Sequence, residues 1–573
     1  MISRKQGYRG RGINKRRLQW SAGWATLFGV VLLLAGGTTV ATGANTAKQG
    51  KQHLLSSKPV ASDGTMNAPA ARAMRQGYLV PNQAAYELAK RQASGAAGAT
   101  SRGANSGVDL LEPVTALGWS GIFDASRAPS DSTSSVGLSR YIELVNSKYA
   151  IYNRGFTASI GEGTLNALAG SVDGDAFDPQ IMWDSQTNRF YYAMNLVVSA
   201  SDNKLAIGFS KTASPASSAD FCHYFVNFGA DFPDYPRLGD SAFFWMIGSN
   251  VFSSSSTFIG ADVYALTKPP GGPTCPAQST FKTGENLDLR DSFGSKAWTP
   301  VPVNQIDPDG TGWIVARRGV LPSSSLSLHR VARKVDGTPS IQSTGTFVQA
   351  WASYNIPPDA PQRVNYPNSD KLLDTLDARL TQAVSALDPG HPTAGGTPQL
   401  GIWTQHAVLH QPTGDPPGHS EVRWYEINPV GGPYKVVQSG KCCYGGGYDS
   451  FNGAISPDRS TIGPFASRHG DNMVLGFSTS GKSSFPSIRM ISKRGTQEQS
   501  STLVKSSGNY VGPDCAGADN ICSWGDYSGA SPDPNPYPAG SPTGRVWLVN
   551  QYSSGGTSSA IANWRTWNWI ATP

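Results

Sequence analysis

Carboxylates and arginines recur in this 573-residue chain where strand-like runs begin. The openings are Phe177-Asp178-Pro179, Asp234-Tyr235-Pro236-Arg237, Asp374-Thr375-Leu376-Asp377-Ala378-Arg379, Asp449-Ser450-Phe451-Asn452 and Trp524-Gly525-Asp526-Tyr527-Ser528. Brought to one point, these residue types allow three chemistries. Two carboxylates across a cleft suit glycoside hydrolysis. Several carboxylates around one centre suit a hard cation such as Ca²⁺. Polar groups interleaved with aromatic rings suit a sugar-binding mouth. The candidate set is Asp178, Asp234, Arg237, Asp377, Arg379, Asn452, Asp526 and Tyr527. Its competing role is turn capping, which short acidic side chains also perform. Arg379 follows Asp377 by two positions and shares its strand face. Arg237 follows Asp234 by three and points the other way unless the chain bends. The expected centre is therefore an Arg–Asp network in which Arg237 pairs across elements. No cofactor is required, and Ca²⁺ is a possible addition. The chain has no HExxH, paired CxxC, GxSxG or GxxxxGK[ST] motif, and the spacing of His406 and His410 also occurs in structural strands.

The elements that position these residues are short strands. Between 178 and 212, the runs Ile181–Trp183, Arg189–Val198 and Lys204–Lys211 alternate with polar turns, and His223–Phe228 supplies a fourth. A meander of this size matches one propeller blade. The same rhythm recurs from Ser134 to Ile570, so the fold class is all-β, a single β-propeller of seven blades with six as the alternative. The last blade lacks one strand and Thr115–Gly121 has no blade of its own, so pairing the two would close the ring.

Gly (64) and Pro (40) are abundant and charged residues make up only 15%, as expected for turn-rich β structure. The net charge of +7 belongs to the amino terminus. Removing the fifteen basic and two acidic residues of 1–107 leaves 32 basic against 38 acidic in 108–573. This balance argues against nucleic acid as a partner. Residues 1–44 show the basic, apolar and small-residue order of a signal peptide or an amino-terminal membrane anchor. Residues 45–107 form a low-complexity basic linker, expected to be a disordered tether except for a helix over Pro81–Ser94. The β-propeller domain is 108–573. The protein is expected to be secreted, or tethered outside the cell with membrane contact only through its amino-terminal segment. It is also expected to be a monomer that meets an extracellular glycan or cell-surface ligand. Its six cysteines suggest disulfides, with Cys515–Cys522 closing a short loop and Cys222–Cys275 joining neighbouring blades.

The segments DGDAFDPQIMWDSQTNRFYYA, DYPRLGDSAFFWMIGSNVF, LDTLDARL, RWYEINP, FPSIRM and WGDYSGASPDP resemble a group of uncharacterised secreted bacterial β-propeller proteins often labelled sialidase-like by fold. The likeness covers most of 130–570 and implies fold and secretion more than activity. The sialidase pattern itself is incomplete. Ser456-Pro-Asp-Arg-Ser-Thr461 and Asp307-Pro-Asp-Gly-Thr-Gly-Trp313 depart from the Asp-box spacing, and the early Arg-Ile-Pro motif is missing. A sialidase would need an arginine cluster, for which Arg237, Arg379, Arg423 and Arg489 are the candidates. The expected function is ligand or glycan binding. The alternatives are a sialidase-like glycoside hydrolase and a structural or adhesive surface protein.

Overall fold

Among the described residues, seven sheets of four or five strands follow one another along the chain, antiparallel except where Asn304–Gln305 pairs with Leu380–Asp388, and an eighth joins Ala360–Pro361, Leu372–Leu373 and Ile521–Cys522. The computed structural model describes residues 53–57, 79–94, 114–365, 370–410, 418–442, 448–459, 470–495, 497–498, 501–508, 521–535, 543–554 and 563–573. The expected signal or anchor, 1–44, lies outside the described residues. The sheets open with the strands Thr133–Val136, Asp175–Asp184, Phe232–Asp240, Ala297–Pro302, Leu380–Asp388, Asp449–Pro457 and Gly529–Pro532. Each of these packs on the opening strand of the next sheet, and the last packs on the first. The arrangement is that of a β-propeller. The ring closes through Val114–Ser120, which pairs antiparallel with Trp564–Thr572 and places Leu117 opposite Ile570.

Strand alternation builds the core. In Arg189–Ser199, Tyr192 packs towards Ile142 and Ile151 of the preceding sheet, whereas Tyr191 packs with Trp245 of the following one. The same division recurs around the ring. Phe244 and Val263 meet Ile314 and Val331, and Val315 and Leu328 meet Leu400 and Tyr425. Trp403 and Trp424 meet Phe477, Val474 and Ala454 meet Leu548 and Trp569, and Trp547 meets Tyr141. Burial on both faces explains why these strands read as nearly continuous apolar runs.

The opening strands share a backbone irregularity near their first residues. Asp178, Tyr235, Thr299 and Asn452 have φ of 54°, 57°, 50° and 46°, each where the strand's register shifts. Asp131, Ala378 and Gly525 take the corresponding places ahead of the other three strands, with φ of 42°, 65° and 65°. A left-handed residue in a bulge bends the strand and re-aims the side chains beside it.

Where it is described, the tether forms an unexpected strand besides the helix expected over Pro81–Ser94. Leu54–Ser56 pairs with Phe221–Gly229 as an added edge strand. Gln83–Ser94 is a helix whose first turn is capped by Asn82, with Ala85 N donating to Asn82 Oδ1 at 3.0 Å. Both segments are ordered by apolar burial and by ion pairing that composition does not display. Val80 and Tyr86 sit among Phe252, Trp298 and Ile356, and Lys90 is buried against acidic partners. Cys222 and Cys275 form a disulfide between the second and third sheets. Cys522 is also disulfide-bonded, while Cys515 lies outside the described residues. No helix among the described residues is long and apolar enough to cross a membrane.

Candidate functional site at the ring axis

The bulged openings turn their polar residues towards one another. Asp377 is the fully buried anchor. It accepts from Arg379 Nε (2.8 Å), Arg317 Nη2 (3.2 Å) and Trp298 Nε1 (2.7 Å). Burial alone would raise this carboxyl, but Arg379 and Arg317 hold it down to about 2. The Arg379 guanidinium lies 4.3 Å from the Tyr235 ring centroid and 5.3 Å from that of Trp298.

Arg237 finds its partner on another sheet, with Nη1 donating to Gln180 Oε1 at 3.2 Å. Its guanidinium lies 3.9 Å from the Tyr235 ring and 4.2 Å from the Tyr527 ring. Its Nε and Nη2 have no hydrogen-bond partner among the described residues, nor do Tyr527 Oη and Asn452 Oδ1. Asn452 Nδ2 donates to Gly525 O at 2.7 Å, and Tyr235 Oη donates to Asp526 O at 3.0 Å.

Asp178, Asp234 and Asp526 are half-buried. Burial raises Asp234 to about 6 although Arg379 pulls it down. Burial and then Asp131 raise Asp526 well above the carboxylate range. Asp131 is itself pushed up to about 8, by burial first and by Asp178 second. It is held in place by Asn146 Nδ2 and by Asp526 N, the latter at 2.6 Å. Asp178 accepts from Asn195 Nδ2 at 3.4 Å. The site thus combines an acid that stays protonated near neutrality with adjacent carboxylates, stacked aromatic rings and unpaired donors.

One side of this centre is covered by the amino-terminal segment. Leu79 packs on Phe177 and Phe232, and its carbonyl accepts from Arg379 Nη2 at 3.4 Å. Tyr86 Oη donates to Asp374 Oδ1 (3.4 Å), and Lys90 Nζ reaches Asp359 (2.5 Å), Asp374 (3.5 Å) and Thr375 (3.0 Å).

The eight candidate residues all occur on or beside the opening strands. Asp131, Arg317, Tyr235, Trp298 and Gln180 were not among them. Arg317 was hidden in the apolar run of Gly312–Arg318, and Asp131 in a serine-rich stretch with no strand signal. Of the four candidates for an arginine cluster, Arg237 and Arg379 meet at the Tyr235 ring, and Arg423 and Arg489 do not join them. Arg423 and Arg489 belong to the third strands His419–Asn428 and Ser484–Arg494 of their sheets, two strands out from the axis. Arg423 pairs with Glu421 and Arg489 with Ser501. His406 is buried between Ala378 O and Tyr425 Oη, whereas His410 lies beside Glu421.

No protein-family model and no curated protein matches the chain. Among solved structures, it is similar to a xylan β-1,4-xylosidase from Bacillus halodurans C-125 (9% identity, 77% of this chain and 94% of the other, TM-score 0.25). An exo-β-1,3-galactanase from Clostridium thermocellum gives 9% identity, 56% and 67% coverage, and a TM-score of 0.28. The WD40 domain of SCAP from fission yeast gives 11%, 76% and 84%, and 0.27. Likenesses at this level carry no argument about activity.

Proposed function

We propose that the chain is a secreted or surface-tethered seven-bladed propeller whose axial site binds a glycan. The observation that carries this reading is the Arg237 guanidinium packed against the stacked rings of Tyr235 and Tyr527, with two nitrogens unpaired beside half-buried Asp178, Asp234 and Asp526. A sugar offers what these groups lack. Its hydroxyls both donate and accept, which suits the unpaired Arg237 nitrogens and the neighbouring carboxylates. Ligand entry requires the segment 79–94 to withdraw, because it covers Arg379 and Asp374. The six-cysteine composition and the Cys222–Cys275 bond support an oxidising destination.

Hydrolysis is the second reading, favoured by one observation. Asp131 is pushed up by burial first and by Asp178 second, and a carboxyl held up beside another is the setting of a general acid. A glycan array with the full chain and Arg237→Gln tests binding, and product analysis on the retained glycans tests hydrolysis. The proposal expects retained oligosaccharides that the variant loses. Wild type and variant giving the same array pattern, or no retention at all, would overturn it.

A further inference from the structure

Away from the axis, the amino-terminal edge strand ends on an unusual group. His53 immediately precedes Leu54–Ser56, and its ring centroid lies 3.9 Å from that of Phe228. Its backbone N–H donates to Glu285 Oε2 at 2.7 Å, and its Nδ1 lies 2.5 Å from Glu285 Oε1. Glu285 stands opposite Tyr264 in the third sheet. Asp262, two residues before Tyr264, therefore presents its side chain on the same face as Glu285. Asp262 is 1% exposed, and its Oδ1 has no hydrogen-bond partner among the described residues. One donor atom each from His53, Asp262 and Glu285 lies within 4.8 Å of the other two.

We propose that His53, Asp262 and Glu285 bind a divalent transition metal of the zinc type, which fastens the amino-terminal strand to the ring. The donor set is one imidazole nitrogen and two carboxylates, which Zn²⁺ accepts in tetrahedral sites with one position left for water. Two adjacent buried carboxylates repel each other. A dication neutralises both carboxylates and gives Asp262 Oδ1 its missing partner. The two carboxylates sit on one sheet and the imidazole on the added strand, so occupancy stabilises the strand's attachment.

The test is Zn²⁺ titration of chelator-stripped full chain, beside Asp262→Asn and His53→Gln, with hydrogen exchange at Leu54–Ser56. His53 is partly exposed, so its variant guards against misfolding at Asp262. Asp388, His391 and Glu426 form another group of possible ligands, but they are unchanged in all three proteins, so uptake there cancels. The proposal predicts a site in the wild type that both variants weaken at least tenfold, and slowed exchange at Leu54–Ser56 only in the wild type. Equal uptake by the three proteins, or exchange at Leu54–Ser56 indifferent to Zn²⁺, would overturn it.

Discussion

Lys90 Nζ, on the amino-terminal helix, lies 2.5 Å from Asp359 Oδ1 on the ring, and the two side chains are only 7% and 4% exposed. A buried pair is costly to break from one side, because the remaining charge loses both water and partner. Lys90→Met strands Asp359 and Asp374, at a cost of about 3–5 kcal/mol. The least costly relief is detachment of the helix. The expected result is fast hydrogen exchange over 83–94 with the sheets still protected. Unchanged protection of the helix would show that its apolar contacts suffice.

Asp377 concentrates the charge at the axis. Asp377→Asn leaves Arg379 and Arg317 buried without their counter-ion, so we expect a loss of about 3–5 kcal/mol in denaturant unfolding. Arg379→Met should cost less, because Arg317 and Trp298 still serve the carboxylate. Equal stability of Asp377→Asn and wild type would contradict this.

Several buried carboxyls set a pH dependence. Burial raises Asp131 to about 8, Asp240 and Asp458 to about 7 and Asp234 to about 6. A carboxyl with a raised folded pKa binds its proton more tightly in the folded chain. Its contribution is complete below the unfolded value near 4 and is lost as pH rises through the folded value. Thermal midpoints should therefore fall between pH 5 and roughly 8, and Asp131→Asn should flatten the upper part of that fall. A midpoint that climbs across this range would refute the assignment.

The Cys222–Cys275 bond spans 53 positions. On the loop-entropy account, replacing both cysteines with serine costs about 4 kcal/mol. Non-reduced peptide mapping should recover the pair, and the double variant should melt lower.

Much of the ring was legible because strand alternation and turn residues are local. The closing strand at Thr115–Gly121 could be placed because its apolar run lacked partners nearby, and the Asp377–Arg379 offset of two marks a shared face. What lay hidden depends on the bulges. Asp234–Arg237 read as a lead-in, yet it lies inside Phe232–Asp240, and its left-handed Tyr235 places Arg237 against Tyr527 of another sheet. The tether was opaque for a different reason. Lys90 and Tyr86 look like solvent-facing helix residues until Asp359 and Asp374, about 270–290 positions away, fold over them.

The most direct measurement is the hydrogen-exchange footprint of an oligosaccharide retained on the glycan array, bound to the full chain. The axial account predicts protection at Asp234–Arg237 and Gly525–Ser528, the two openings whose stacked tyrosines pack against Arg237. It also predicts faster exchange over 79–94 as the covering segment withdraws. Protection confined to the outer strands, with both openings and the helix unchanged, would contradict it.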